Sequence, residues 1–447
     1  MKGLKTIDFL EGRASKNLFA IFVPLLVAFF FSMAFDVTDS LWIGNLLGET
    51  ALAAQTISMP LILIYNSVCM GVTGGIGILL SIGIGAKRQD KVEGLIATSL
   101  VTMIVFSLVI TFFCEFGIDF ILFAVNTPRE IYAMARGFLS IHILSFPFVM
   151  MYMYLSAVLR SYGNSIIQLI SIIGCTIANA VLDPIFIHFM GMNGVAVATV
   201  LSEGAMMILV FAYCKRNEIM HFNLGAFRFE TLRSIVSKAV PSMIQQSLPS
   251  VSATFVTSLV AAFGITAIAG FGIAGKIETL LLYPPMAMNM ALTSATGQCF
   301  GAENTKKAKE YSKWGVLIGG GVLIAFTLIV TLFSGSLAGL FGAGSAVKQI
   351  VATYFAIIAV GYVCNIITNS MLGTVNGAGK PFAAMCLMIF YYIIVRMPLA
   401  KILAMTVLGL NGIWVAVLAS HIAAAIASAL YCRHLLKQKA KITSVME

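Results

Sequence analysis

Long uncharged apolar runs recur along the whole of this 447-residue chain. A run of roughly 18 residues or more is long enough to cross the hydrocarbon layer of a bilayer as a helix. A backbone in lipid must satisfy its own hydrogen bonds, so such runs become helices rather than loops or open strands. A soluble chain would need about a quarter of its residues charged to cover its surface. Here only 10% are charged and 60% are apolar, at a mean hydropathy of +0.98. The expected fold is therefore all-α and polytopic, embedded in the lipid bilayer, and a soluble enzyme is excluded.

Hydropathy read with Gly, Pro and charge punctuation predicts twelve spans, near 17–44, 51–85, 93–118, 134–160, 165–188, 193–214, 235–262, 265–297, 314–340, 350–376, 381–404 and 409–432. Of the 28 Lys and Arg residues, 22 fall on one side of this arrangement: the N-tail, Lys87, Arg88, Lys91, Arg160, the 215–238 segment, Lys306 to Lys313, Lys380 and the C-tail. The positive-inside rule puts that side, and both termini, in the cytoplasm. The net charge of +10 sits in alternate loops rather than along one stripe, which argues against nucleic acid as a partner. Met1 to Asn17 mixes charge with Phe9 and Leu10 and has no small-residue cleavage site, so a short amphipathic surface helix is expected there in place of a signal peptide. The eight cysteines are scattered singly without a C-x-x-C pair, which suggests neither a metal site nor a disulfide framework.

The halves repeat. Gly48 with Ala51-Leu52-Ala53 matches Gly264 with Ala267-Ile268-Ala269, Gly85 matches Gly301, and Gly163 matches Gly379, all at an offset of 216 residues; Gly191 and Asn193 match Gly409 and Asn411 at 218. Six spans per half is an even number, so the repeats are parallel, related by an axis along the membrane normal. The expected organisation is an N-lobe over 1–214, a linker over 215–238 and a C-lobe over 239–447.

An ionisable group inside a span costs about 2.5–3.5 kcal/mol on insertion scales, so each needs a reason. Asp36 and Asp39 in the first span are three apart, on one helix face. Asn179 and Asp183 in the fifth are four apart, again on one face, with Pro184 next. That proline lacks an N–H and frees a carbonyl one turn earlier. Carboxylates beside an amide and loosened carbonyls could hold a sodium ion or, equally, a proton; the bland alternatives are a polar cap for Asp39 and a packing hydrogen bond for Asp183. Glu278 in the eighth span and Glu203 in the sixth are candidates for attracting cationic substrates, with a structural pairing of Glu278 to Lys276 or Arg396 as the alternative. Met288 stands for a Met- and Phe-rich wall of adaptable side chains, although Met in spans is most often ordinary packing. Pro24 is placed to hinge the first helix. Pro147, Pro249, Pro284, Pro285 and Pro398 mark expected breaks in others.

Absences complete the picture. The chain has no G-x-x-x-x-G-K-[ST] phosphate loop, no metal spacing among its five His, and no hydrolase motif. No cofactor is expected, and energy is expected from a proton or sodium gradient.

In Pro24, Asp39 to Gly44 with Gly48, Leu159 to Asn164, Asn179 to Pro184, Gly194 to Thr199 and Pro241 to Gln246, the chain resembles the multidrug and toxic compound extrusion (MATE) family over essentially its full length. The closest likeness is to bacterial exporters of Gram-positive type. The resemblance implies a V-shaped pair of six-helix bundles, acting as a monomer in the bacterial cytoplasmic membrane. Such proteins expel small organic cations (drugs, dyes, biocides) in exchange for protons or sodium. It puts the coupling-cation site on Asp39, Asn179, Asp183 and Thr199, with Asp36 a turn away; Asp183, Glu203, Glu278 and Met288 are the candidates for substrate contact on the residues' own chemistry. The chain departs from the sodium-driven branch, which carries C-lobe acids where Pro249 and Asn365 stand here, so protons are the favoured coupling ion. A lipid-linked saccharide flippase of the same superfamily is the competing function, with Arg396 and Lys276 as its best support.

Overall fold

A computed structural model describes residues 6–219 and 227–438. Among these the chain forms twelve helical rods and no strand. They are α1 Ala14–Leu47, α2 Glu49–Gly85, α3 Gln89–Ala124, α4 Arg129–Ser161, α5 Ile166–Met190, α6 Met192–Arg216, α7 Phe229–Ala261, α8 Ile265–Gly301, α9 Thr305–Leu340, α10 Ser345–Gly377, α11 Pro381–Ala404 and α12 Leu410–Lys437. Eleven are long and apolar enough to cross a membrane by length and composition. The exception is α7, whose middle carries Ser242, Gln245, Gln246, Ser247 and Ser250. The protein is an all-α, multi-pass membrane protein.

The described residues fall into two compact units. One contains Val23–Leu80 and Arg88–Ala239; the other contains Asp8–Phe22, Ser81–Lys87 and the chain from Val240 onward. Helix α1 thus changes unit between Phe22 and Val23, beside Pro24, and α7 does so between Ala239 and Val240. Part of the expected 215–238 linker, residues 220–226, lies outside the described residues, as do 1–5 and 439–447.

The backbone repeats as the sequence does. Gly48 and Gly264 take φ of 83° and 94°, Gly163 and Gly379 take 80° and 74°, and Gly191 and Gly409 take 57° and 51°. The last pair opens the turns into α6 and α12, and packing there is equally matched. A Cβ on Gly194 would meet the Phe186 carbonyl oxygen at 2.2 Å, and one on Gly412 would meet that of Leu403 at 2.3 Å. Both hairpins therefore close backbone to backbone, which only glycine permits.

Two expectations are corrected. Residues 6–13 contain no helix. Phe9 is fully buried in the second unit, its carbonyl accepting from the Tyr311 hydroxyl at 3.0 Å, while Leu10 N–H is turned onto the Asp8 carboxylate at 2.7 Å. Burial of the Phe9 ring fixes an irregular path where an amphipathic pattern suggested a surface helix. Nor do all the prolines break helices. Pro249, Pro284 and Pro285 lie inside continuous helices, as do Pro24, Pro60, Pro184 and Pro241. Among the described residues, interruptions occur only around Pro147 and Pro398, where α4 tightens to a 3₁₀ turn at Ile143–Ser145 and α11 widens to a π turn at Phe390–Arg396. One missing N–H can be absorbed when a neighbouring side chain takes the freed carbonyl.

Candidate functional site: a cavity lined by carboxyl groups in the first unit

Helix α1 presents Asp36 and Asp39 on one face, as their spacing requires. Asp36 is solvent-accessible and Asp39 is 7% exposed, and both line a cavity of about 230 Å³ inside the first unit. Its wall also takes Gln55 and Tyr65 from α2, His142 and Ser145 from α4, and Glu203 from α6. Phe29, Phe35, Phe138, Phe146 and Met206 supply much of the apolar surface. No Lys or Arg is among the lining residues, so the electrostatic potential inside is set by acids.

Behind Asp39 stands Asp183, fully buried on α5, and the two carboxyl groups are close enough to interact by a hydrogen bond. The amide of Asn179 donates to Asp183 Oδ1 at 3.2 Å. Thr199 is also fully buried. It lies eight residues beyond Gly191 as Asp183 lies eight before it, so the α5–α6 hairpin sets both at one depth, about 12 Å from the turn. Four buried oxygens of this group, Asp39 Oδ1, Asn179 Oδ1, Asp183 Oδ2 and Thr199 Oγ1, have no hydrogen-bond partner. Leaving a buried acceptor unpaired costs about 1–3 kcal/mol, and a small cation or a proton would relieve it. Two carboxylates this close repel strongly when both are ionised.

Two hydrogen bonds fix α1 against α5 on either side of Asp39. Thr176 Oγ1 donates to the Phe31 carbonyl at 3.2 Å, and Trp42 Nε1 donates to the Ala180 carbonyl at 3.1 Å. The second reaches the carbonyl of Ala180, the one that Pro184 frees, so an indole N–H takes one of that oxygen's two lone pairs.

Glu278 and Met288 lie elsewhere, in the second unit. Glu278 accepts from the hydroxyls of Tyr354 at 2.8 Å and Tyr362 at 2.9 Å. Lys276 does not pair with it but sits 5.6 Å from the centroid of the Phe341 ring. Met288 is fully buried, packed near Gly319. Arg396, in the π turn, donates to Ser420 Oγ at 2.9 Å and Tyr391 OH at 2.7 Å and stacks on Tyr391 and Tyr392. Asn365 bonds within this network, facing His421 Nδ1 at 3.4 Å.

Sequence reasoning missed His142, Ser145, Gln55 and Tyr65. A signal existed for the first two: polar residues three apart just before Pro147, the same grammar as Asn179, Asp183 and Pro184.

A membrane protein of this kind, with paired six-helix repeats and an acid-lined cavity between helices, falls in the class of polytopic solute transporters. The sequence model of the MatE family matches the chain twice, over residues 24–185 and 241–402, and the chain belongs to that family. The two matches begin 217 residues apart, which is the internal repeat again. The chain is 26% identical to the probable multidrug resistance protein YpnP of Bacillus subtilis, over 96% of this chain and 97% of that one. It is 24% identical to the probable multidrug resistance protein YoeA of the same organism, over 88% of each. Its fold matches the crystal structure of a MATE in complex with MaL6 with a TM-score of 0.91, covering 98% of this chain and 99% of the other at 24% identity.

Proposed function

We propose that the protein is a secondary active exporter of small organic cations, driven by inward movement of protons or sodium ions through alternating access. The observation that carries this reading is the position of Asp39, which lines the cavity and also meets Asp183 behind it. A cation in the cavity and a small ion held between the two acids draw on the same carboxyl group, so loading one disfavours the other. Asn179 and Thr199 complete the ion site, Asp36 and Glu203 face the cargo, and Pro24 hinges α1. Relatives named as multidrug resistance proteins support the cargo class. The asymmetry of Lys and Arg supports cytoplasmic termini in the bacterial plasma membrane.

The energetics are sufficient. One pH unit supplies about 1.4 kcal/mol per proton, and a potential of 100 mV adds about 2.3 kcal/mol per net charge moved. The absence of Lys and Arg from the cavity lining weighs against a lipid-linked saccharide, whose phosphates call for basic residues. Arg396, the best support for that alternative, is engaged with Ser420 and Tyr391. Proteoliposomes given an imposed pH or sodium gradient, varied independently, test the proposal. Gradient-driven movement of an ethidium-like cation is expected, and no movement under either gradient rejects it.

A further inference from the structure

The cavity has a second polar station that ion coupling does not use. It lies where α4 is interrupted: Ser145 ends the 3₁₀ turn, His142 precedes it, and Glu203 on α6 faces the same space. Ser145 is the hydroxyl beside Glu203. Yet Ser145 Oγ and Glu203 Oε2 have no well-formed hydrogen bond, and His142 Nδ1 is also without a partner. His142 and Ser145 are 9% and 1% exposed. The His142 ring is fixed, stacked on Phe138 at 5.3 Å and edge-on to Phe146 at 6.2 Å. Its unpaired nitrogen is therefore a placed group rather than a swinging one.

We propose that Glu203, Ser145 and His142 form a recognition station for cations that carry N–H groups, primary and secondary ammonium or amidinium, and that the cavity prefers these to quaternary ammonium ions of similar size. This rests on the reading of the cavity as a cation site and names the class of cargo. A carboxylate, a hydroxyl and an imidazole nitrogen together offer charge and several acceptors to one head group. A quaternary ammonium satisfies the charge but has no N–H, so the neutral acceptors stay buried and unpaired. Sites built on hydrogen bonds discriminate strongly against analogues that lack the donor. The opposing effect is the aromatic wall, since ring faces attract any cation. That attraction, with the lower cost of stripping water from a quaternary ion, works against the preference, and the hydrogen bonds to the three acceptors outweigh it only if all are made. At about 230 Å³ the cavity is small for a drug-sized ligand and suited to its charged head.

The experiment uses the purified full-length protein and two probes: dansyl-ethylenediamine, ending in a primary ammonium, and its N,N,N-trimethyl counterpart. Both are titrated by dansyl fluorescence at neutral pH. The primary ammonium is expected to bind about tenfold more tightly or better. Ser145→Ala and His142→Phe should each cut that ratio about threefold or more, mainly by weakening the primary ammonium. Glu203→Gln should weaken both probes. Equal affinities in the unaltered protein overturn the inference, as does a ratio that survives both substitutions. Because the unaltered protein supplies the first comparison, a variant that fails to fold leaves the test standing. If both probes bind equally, only this inference falls; if neither binds, the cation reading of the cavity falls with it.

Discussion

Trp42 and Ala180 are joined across α1 and α5 by a 3.1 Å hydrogen bond from the indole N–H to the carbonyl that Pro184 leaves without a helical donor. The bond therefore repairs a helix defect and, in doing so, sets the distance between the helices that carry Asp39 and Asp183. Trp42→Phe keeps a ring but orphans the carbonyl, at a cost of about 1–3 kcal/mol. A lower melting temperature in detergent is expected, with gradient-driven efflux falling in parallel. An unchanged melting temperature would show that water or another donor serves the carbonyl equally well.

Asp183→Asn keeps the shape of the side chain and its neighbour Asn179 while removing one of two facing acids. Gradient-driven efflux is expected to fall at least tenfold while insertion and yield stay near normal. The check is uptake into everted vesicles alongside an immunoblot of the membrane fraction. Rates equal to those of the unaltered protein would remove Asp183 from coupling.

In the second unit both oxygens of Glu278 are committed to tyrosine hydroxyls. Hydrogen bonds to a charged acceptor contribute about 1.5–3 kcal/mol. Tyr354→Phe and Tyr362→Phe are each expected to lower stability, and neither should add its full effect in a Glu278→Gln background. Glu278→Gln should weaken monocationic and dicationic substrates alike. A selective loss of dications would instead give Glu278 a direct role in binding.

The tight hairpins make a matched pair of predictions. Gly194→Ala and Gly412→Ala each drive a methyl into a carbonyl oxygen at 2.2 Å and 2.3 Å, where backbone must move. Overpacking of this kind costs about 1–3 kcal/mol. Gly174→Ala, in α5 with nothing within 4 Å of the added carbon, is the control. Thermal unfolding should drop for the first two and hold for the third.

The hydropathy pattern read the rods well because a bilayer allows few alternatives. It also placed a span over 235–262, where α7 is a continuous helix but serines and glutamines dilute its middle. The acid pair was legible in part: three- and four-residue spacings put Asp36 with Asp39 and Asn179 with Asp183. The approach of Asp39 to Asp183, 144 residues later in the chain, is a matter of packing that no spacing reveals. For the same reason the partners of Glu278 went unseen, lying 76 and 84 residues away. The freed carbonyl of Ala180 was legible from Pro184, but the indole N–H that reaches it comes from another helix and was not. Phe9 misled: an amphipathic pattern does not say whether its apolar side meets lipid or a crevice in the protein.

At offsets of 216 to 218 residues, Asp39 falls on Phe255, Asn179 on Met397, Asp183 on Lys401 and Thr199 on Val417. The duplication that built the molecule thus kept its turns and close contacts in both copies, while this group of two acids, an amide and a hydroxyl stands in one. Symmetry of frame is joined to asymmetry of chemistry: at the corresponding positions the second half offers a ring, a thioether, an ammonium and an isopropyl group.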